Sequence, residues 1–339
     1  MDILVTGGLG YIGSHFVIQA LSSGFNVTVI DNLSNSSISI KNSIDSITKK
    51  SFAFANIDLR NKDMLFDVFR SSKFDLVVHF AGLKAVSDSC QRPLDYYENN
   101  VIGSWNLLQV MNCLNVKKII FSSSATVYGM SQVNPLTEEY PKAPFNPYGQ
   151  TKSCIEDMIA DLCRSDREWS AVSLRYFNPI GAHPSGKIGE NPEGVPNNLM
   201  PYIIKVAAGE FRTLQVFGSD YATPDGTGIR DFIHVLDLVD GHIKALKFLD
   251  KYKGYEVFNL GTGQGHSVLD IVKTFERVNH VKIPLMFKPR RIGDMAASWA
   301  NPLKAEIILK WKAIRSLDEM VKDSWQWQKA QMDRASLCV

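Results

Sequence analysis

The chain has 339 residues, of which 45% are hydrophobic and 21% charged, as in ordinary globular proteins with one large domain or two unequal ones. Its 37 basic and 35 acidic side chains leave a net charge of +2, with no basic helix carrying interleaved aromatic residues, which argues against nucleic acid and membrane surfaces as partners. No apolar stretch reaches the roughly 18 residues that would predict a membrane span, and the N-terminus lacks the pattern of a secretory signal, so a cytoplasmic protein is expected.

The cysteines give no indication of a disulfide framework or a metal site. They are odd in number and scattered, at Cys90, Cys113, Cys154, Cys163 and Cys338. Neither a CxxC pair nor a Cys/His ligand spacing occurs among them, and the seven histidines show no metal spacing either. We expect reduced, mostly buried thiols and no bound metal.

The first half of the chain alternates short β-branched runs with longer amphipathic stretches. Strands are predicted at 2–6, 26–30, 51–55, 75–80, 118–122 and 171–174. Helices are predicted at 14–23, 62–70, 94–115 and 150–163. Repeated βα units predict an α/β fold with a doubly wound, Rossmann-like parallel sheet, whose ligand site lies at the carboxyl ends of the strands.

The composition of the sequence changes after about residue 177. Residues 178–198 are rich in Gly, Pro and Asn and are predicted to form a loop. Helical stretches follow at 199–208, 235–249, 268–279, 302–309 and 317–328, separated by short strands. We expect one domain over 1–177 and a smaller C-terminal α/β region over 178–339, some segments of which can return to the first domain.

A glycine-rich turn joins the first predicted strand to the first helix. Gly7, Gly8, Gly10 and Gly13 contain both GxGxxG and GxxGxxG, which permits a tight turn and close approach of a pyrophosphate to the helix N-terminus. The next strand ends in Asp31, 18 residues after Gly13, where a carboxylate would bind an adenosine ribose and repel a 2′-phosphate. The pattern predicts NAD rather than NADP, against the alternative of a purely structural turn.

A candidate catalytic pair opens the helix predicted near residue 150. Tyr148 and Lys152 are four residues apart, which places them on one helix face. A nearby ammonium is expected to lower the pKa of a phenol, so that Tyr148 can remove a proton from a sugar hydroxyl. Ser124, after a buried strand, is expected to relay that proton. Each feature alone also fits a solvated helix face or ordinary loop chemistry; their order along the chain favours catalysis.

In these motifs the chain resembles the extended short-chain dehydrogenase/reductase family and, within it, the UDP-hexose 4-epimerases. The resemblance covers about residues 2–330 and is most specific at 80–84 and 175–179. The matching segments are 6–15, 31–33, 79–86, 122–129, 148–152, 174–186, 196–202, 226–234, 259–261 and 289–294.

The resemblance implies a set of site residues. For NAD, bound mainly by the first domain, it implies Gly7, Gly10, Tyr11, Ile12, Gly13, Asp31, Asn32, Asp58, Leu59, Phe80, Ala81, Gly82, Lys84, Asn99, Ser124, Tyr148, Lys152 and Phe177. For a UDP-sugar, bound mainly by the second region, it implies Lys84, Ser124, Tyr148, Asn178, Asn198, Leu199, Gln215, Phe217, Arg230, Arg291, Asp294 and Ser298. It also implies a homodimer. Forked arginine donors independently suit a pyrophosphate, although a solvated surface position is the alternative for each arginine.

The implied reaction is reversible epimerisation at C4 of a UDP-hexose through a 4-keto sugar. The nearest rival, a sugar-nucleotide 4,6-dehydratase of the same family, carries an Asp-Glu pair just after the serine or threonine. Here those positions are Ala125 and Thr126, which supply neither acid nor base. A related decarboxylase of the family would also require a carboxylate near the position of Thr126. A non-catalytic NAD-binding scaffold would have no use for the Tyr148/Lys152 pair.

Ser298 is a departure from the family pattern that bears on substrate choice. Members restricted to UDP-glucose and UDP-galactose resemble this chain except for a tyrosine at this position. Loss of a phenol ring is expected to open space beside the C2 substituent of the sugar. We therefore expect activity on UDP-N-acetylglucosamine and UDP-N-acetylgalactosamine as well, unless another side chain refills the gap.

Overall fold

The computed structural model describes residues 1–130, 133–192, 194–291 and 293–337, without the side chains of 335–337. The strands are β1 (Asp2–Thr6), β2 (Asn26–Asp31), β3 (Ala53–Asn56), β4 (Leu76–His79), β5 (Lys118–Ser124), β6 (Ser170–Tyr176), β7 (Asn178–Ile180), β8 (Leu214–Phe217), β9 (Ile229–His234), β10 (Gly254–Leu260), β11 (Gly265–Ser267), β12 (Leu285–Lys288) and β13 (Ala297–Ser298). The α-helices are α1 (Tyr11–Ser22), α2 (Ser39–Thr48), α3 (Lys62–Ser71), α4 (Val86–Gln91), α5 (Pro93–Tyr96), α6 (Gly103–Cys113), α7 (Pro147–Ser165), α8 (Leu199–Ala207), α9 (Val235–Leu249), α10 (Val268–Asn279) and α11 (Leu317–Leu337).

Seven strands form one parallel sheet in the order β10-β6-β5-β4-β1-β2-β3. The first six strands follow the order of dinucleotide-binding folds, so the predicted Rossmann-like α/β fold is confirmed. The direction of strand succession reverses between β1 and β4. Ligands of such sheets bind in the crevice outside the carboxyl ends of the strands at this reversal.

Helices cover both faces of this sheet because its strands are apolar on both sides. In β1, Ile3 and Val5 face one layer, where Phe16 of α1 and Leu246 of α9 are buried. Leu4, which points the other way, belongs to a second core that includes residues of α3, α6 and α7. This burial on both faces explains the near-continuous apolar runs in the sequence.

The C-terminal half builds a smaller region and also returns to the first sheet. β9 pairs with β7, β11 and β13, and β8 pairs with β12. A separate core joins α8, α10 and α11. β10, however, lies parallel to β6 at the edge of the seven-stranded sheet. The domain boundary at residue 177 stays a prediction.

Several elements differ from the sequence prediction. The helix expected at 94–115 is divided by a π-helical turn at Tyr97–Ile102 between α5 and α6. The helix expected at 302–309 begins at residue 303 and continues as a π-helical turn, Ala305–Leu309. The segment 178–198 was expected to be loop, but its start forms β7. α2 was not predicted, although Ile40, Ile44 and Ile47 form an apolar stripe along it that packs against the first core.

Three further features concern the surface and the thiols. Within the described ranges no helix is long and apolar enough to cross a membrane, and no three potential metal-binding side chains group together. The four described cysteines are free. The expectation of mostly buried thiols is wrong for Cys90 and Cys113, which are exposed on helical surfaces, while Cys163 is buried. Cys338 lies outside the described residues.

Candidate functional site

The glycine turn between β1 and α1 is as tight as the sequence predicts. Gly7 has φ +69°, and a Cβ atom there would lie 2.6 Å from the backbone nitrogen of Ala81. A Cβ at Gly13 would lie 2.1 Å from the carbonyl oxygen of Gly7. Gly10 precedes the first helical residue, so the free N–H groups of α1 begin directly after the turn. This arrangement suits an anionic ligand held by backbone donors.

Asp31 ends β2 beside this turn. Its Oδ2 accepts a hydrogen bond from the backbone N–H of Leu9 at 3.0 Å. Its Oδ1 accepts hydrogen bonds from the backbone N–H of Leu33 and the hydroxyl of Ser36. The carboxylate is therefore fixed at the rim of the glycine turn, where it can accept further hydrogen bonds from a ribose.

A cavity of about 460 Å³ opens at the carboxyl ends of the strands, next to the turn. Many predicted NAD residues line it, together with Asn198, which was predicted for the substrate alone: Gly7, Gly10, Asp31, Asn32, Asp58, Leu59, Phe80, Ala81, Gly82, Lys84, Asn99 and Asn198. The remaining predicted NAD residues, all described, are not part of its lining: Tyr11, Ile12, Gly13, Ser124, Tyr148, Lys152 and Phe177. Lys152 is nevertheless adjacent, since a Cβ at Gly82 would lie 3.7 Å from its Nζ.

Asn32 and Asp58 form one polar edge of this cavity. The Asn32 side chain donates to Oδ2 of Asp58 at 2.9 Å. Hydrogen bonds from Arg60 hold the pKa of the Asp58 carboxyl well below its usual range, and the Asn32 bond acts in the same direction. Asp58 is therefore a carboxylate at neutral pH and can only accept hydrogen bonds.

Glu190 is a cavity residue that sequence reasoning missed. Its Oε1 accepts hydrogen bonds from Nζ of Lys84 at 2.6 Å and from the Asn198 side chain at 3.4 Å. It therefore bridges a predicted NAD residue and a predicted substrate residue. No signal in the sequence marked it, because Glu190 lies in a Gly- and Pro-rich segment and its lysine partner is 106 residues away.

The candidate catalytic pair begins α7. The side chain of Asn146 accepts a hydrogen bond from the N–H of Gly149 at 2.8 Å, and Pro147 is the first helical residue. This cap starts the helix so that Tyr148 lies in its first turn. Lys152 is 4% exposed. Its Nζ donates to the carbonyl of Ser122 at 2.7 Å and lies 5.9 Å from the ring centroid of Tyr148.

The electrostatics of this pair differ from the sequence expectation. Burial raises the pKa of Tyr148, and an interaction with the Ser124 hydroxyl opposes this only in part. Burial lowers the pKa of Lys152 to about 8, although the charge of Glu156 opposes the decrease. The expectation that Lys152 lowers the pKa of Tyr148 is wrong for the protein alone, because the ammonium is directed at a backbone carbonyl and burial disfavours both charged forms.

Ser124 closes β5 and leads into a 3₁₀ turn, Ala125–Tyr128. Its hydroxyl oxygen accepts hydrogen bonds from the N–H of Thr126 at 3.2 Å and from the Thr126 hydroxyl at 3.0 Å. Phe177, which follows β6, is buried with Val127 and Tyr128 behind this turn. The turn thus has a fixed position between the two strand ends.

Several residues that were predicted to bind the substrate lie close together in the C-terminal region. Arg230 of β9 lies 3.6 Å from Asp294 and donates to the carbonyl of Met295. Ser298 of β13 is the register partner of Arg230. Arg291 stacks over the ring of Phe217, at 3.8 Å from the centroid.

Gln215 lies on β8, Asn178 begins β7 and Leu199 begins α8. None of these three lines the cavity. Burial lowers the pKa of Arg230, and Asp294 opposes the decrease. The loop that carries Asp294 approaches the segment just before α7, since a Cβ at Gly293 would lie 2.7 Å from the Phe145 ring.

The residues at the glycine turn fit a bound NAD. The turn leaves no room for side chains at Gly7 and Gly13, the helix N-terminus supplies free donors, and Asp31 offers a fixed acceptor at its rim. The open side of the turn faces the cavity through Gly7 and Gly10. Together these features match the requirements of a pyrophosphate and an adenosine ribose.

Comparisons with known proteins agree with this geometry. Residues 3–261 match the NAD dependent epimerase/dehydratase family. The chain is 51% identical over 333 residues to a UDP-glucose 4-epimerase of Bacillus subtilis (strain 168), with 98% of each chain covered.

Two solved structures are similar along nearly the whole chain. One is a UDP-glucose 4-epimerase from Bifidobacterium longum in complex with NAD+ and UDP: 47% identity, TM-score 0.95, with 98% of this chain and 99% of that chain covered. The other is from Stenotrophomonas maltophila, with bound NAD and formylated UDP-arabinopyranose: 45% identity, TM-score 0.96, with 99% of each chain covered. These matches confirm the predicted cofactor, NAD, and the predicted enzyme class, an isomerase. The chain belongs to the NAD dependent epimerase/dehydratase family.

Proposed function

We propose that the protein is a UDP-glucose 4-epimerase, which interconverts UDP-glucose and UDP-galactose. The observation that carries the proposal is the group formed by Tyr148, Lys152 and Ser124 beside the cavity at the glycine turn. The names of the relatives support the same activity. The individual NAD and UDP-sugar contacts, the homodimer and the cytoplasmic location are proposed on the family resemblance.

In this proposal the phenol of Tyr148 exchanges a proton with the 4-hydroxyl of the sugar, assisted by Ser124. NAD, held at the glycine turn, would supply the acceptor and donor of hydride for C4 of the sugar, and its positive charge would favour the phenolate. Lys152 adds a second positive charge in its protonated form. Because burial raises the pKa of Tyr148, these charges are needed for it to act as a base near neutral pH.

Arg230 and Arg291 provide forked donors for the pyrophosphate of the substrate. Both lie on the C-terminal region, Arg230 in β9 and Arg291 over the ring of Phe217. An anchor at the UDP end leaves the sugar free to turn between the two hydride transfers. A dehydratase would need an acid and a base after Ser124, and the 3₁₀ turn supplies only Ala125 and Thr126 there.

The test is an assay of the purified protein for interconversion of UDP-glucose and UDP-galactose. Tyr148→Phe should abolish turnover while the protein keeps its bound NAD, because only the phenolic oxygen is lost. Tyr97→Phe, at an exposed tyrosine on the π-helical turn, is the matched control and should keep full activity. A wild-type protein that carries NAD but converts neither sugar would refute the proposal.

We further propose that the enzyme accepts the N-acetylated substrates. Ser298 is 7% exposed and is the register partner of Arg230 in the small sheet, and its side chain occupies far less volume than a tyrosine would. Ser298→Tyr should reduce turnover of UDP-N-acetylglucosamine far more than that of UDP-glucose. Equal losses for both substrates would mean that Ser298 does not act as a gate, and no wild-type turnover of the acetylated pair would exclude the wider specificity.

A further inference from the structure

Helix α7 carries a third ionisable side chain in line with the catalytic pair. Tyr148, Lys152 and Glu156 follow each other at intervals of four residues and therefore stand on one helix face. Glu156 is 1% exposed. A buried carboxylate is costly unless it is paired and hydrogen-bonded, and the chemistry described above makes no use of it.

The carboxylate of Glu156 joins three elements. Its Oε1 accepts hydrogen bonds from the hydroxyl of Ser123 on β5 at 2.6 Å and from Nε of Arg175 on β6 at 3.0 Å. Its Oε2 accepts one from Nη2 of Arg175 at 2.7 Å. Ser123 and Arg175 are register partners across β5 and β6. One carboxylate therefore ties α7 to the ends of two neighbouring strands.

The end of β5 supplies a contact to each functional group in turn. The carbonyl of Ser122 accepts from Lys152, the hydroxyl of Ser123 donates to Glu156, and Ser124 interacts with Tyr148. A small shift of α7 along this strand end would move Lys152 and Tyr148 relative to Ser124. Displacements of about 1 Å at a reacting group can cost about a hundredfold in rate.

We propose that Glu156 is a positioning residue of the active site, whose carboxylate fixes α7 against β5 and β6 and so sets where Tyr148 and Lys152 stand relative to Ser124. The inference rests on the proposed epimerase function. Glu156 acts through other residues, since its hydrogen bonds go to Ser123 and Arg175.

The same carboxylate influences the charge of Lys152. Burial lowers the pKa of Lys152 to about 8, and Glu156 is the group that opposes the decrease. The other groups facing this ammonium are the phenol of Tyr148, the ring of Phe121, the carbonyl of Ser122 and the buried imidazole of His79. Removal of the Glu156 charge should lower the pKa of Lys152 further.

The experiment uses the full chain loaded with NAD. Glu156→Gln keeps the shape of the side chain but loses the charge. We expect kcat to fall about tenfold or more, with a smaller change in KM, and the alkaline limb of the kcat–pH profile to move to lower pH. Asp161→Asn, which removes an exposed carboxylate from the same helix, should leave kcat, KM and the alkaline limb of the kcat–pH profile unchanged. NAD content and thermal unfolding are measured for every variant.

A purely structural ion pair would lower the melting temperature of Glu156→Gln and leave the kcat and the alkaline limb of the folded protein at wild-type values, which would overturn the proposal. Ser123→Ala covers the case in which Glu156→Gln does not fold. It removes one hydrogen bond and keeps the charge, so kcat should fall severalfold with the alkaline limb unchanged. Wild-type kcat in Ser123→Ala would then overturn the proposal. Failure of the epimerase proposal is distinct, because the unaltered protein would be inactive.

Discussion

At the scale of single residues, burial decides the protonation of the proposed catalytic groups. It raises the pKa of Tyr148 and lowers that of Lys152 to about 8, so both side chains are driven toward their neutral forms. The charged forms needed for proton transfer therefore depend on neighbours, such as Glu156 and a bound oxidised nicotinamide. A protein that has lost its cofactor should accordingly have a less reactive tyrosine.

Two glycines of the turn should respond differently to alanine. In Gly13→Ala the new Cβ meets backbone atoms of Gly7 and Gly8, so we expect the free energy of unfolding to fall by roughly 1–3 kcal/mol. At Gly10 the backbone is extended and the nearest atom to a Cβ is 3.3 Å away. Gly10→Ala should keep its stability but retain less NAD, because the methyl group blocks close approach of the pyrophosphate. Urea unfolding and the NAD released on denaturation measure the two effects.

The opposite pattern, with NAD lost from a stable Gly13→Ala and retained by Gly10→Ala, would contradict these separate roles.

Both glycines, Asp31 and the Tyr148/Lys152 pair were identified from sequence because their spacing is local. Glu190 and the partners of Glu156 were not, because Lys84, Ser123 and Arg175 meet these carboxylates only through the fold. The sign of the Tyr148 pKa shift was also wrong, since spacing does not reveal burial.

At the scale of secondary structure elements, the N-terminus of α7 places the proposed catalytic tyrosine. Asn146 caps the helix through Gly149, and the first turn carries Tyr148. Both the strand β5 that precedes this segment and the helix itself were predicted within a few residues. The π-helical turn that divides 94–115 was not, because the segments on both sides of it carry the apolar spacing of a helix.

Removal of this cap should affect stability and catalysis together. Asn146→Ala leaves the N–H of Gly149 without its acceptor, which should cost about 1 kcal/mol of unfolding free energy. Fraying of the first turn should also lower kcat severalfold, since Tyr148 lies within it. Asn146→Ser, which keeps an acceptor oxygen, is the control and should recover most of both quantities. A destabilised Asn146→Ala with full kcat would show that the cap does not position Tyr148.

At the scale of the whole molecule, three buried histidines make the fold sensitive to acid. Burial lowers the pKa of His15 and of His79 to about 3 and that of His242 to about 4. His79 lies between the hydroxyls of Thr6 and Ser104, at 2.7 and 2.8 Å. In the unfolded chain these side chains would bind protons near pH 6.5. Their contribution to stability is therefore fully present well above pH 6.5 and is lost as the pH falls toward 4 for His242 and toward 3 for His15 and His79.

The free energy of unfolding in urea should thus fall by roughly 4 kcal/mol between about pH 7.5 and 5.5, about 1.4 kcal/mol for each histidine. His242→Gln should be less stable at both pH values but should show a smaller difference between them. His280→Asn is the control, because this histidine is exposed and asparagine accepts its left-handed backbone, φ +56°. Equal pH dependence in His242→Gln and the unaltered protein would count against this account.

The return of β10 to the edge of the first sheet has a consequence for synthesis of the protein. Until translation has passed Leu260, β6 has an open edge on the nascent chain, with its backbone donors and acceptors unpaired. The seven-stranded sheet therefore cannot be completed until β10, at Gly254–Leu260, has also left the ribosome. Premature termination before this point should yield chains that chaperones retain or proteases remove, even when every residue of the glycine turn and the catalytic helix is present.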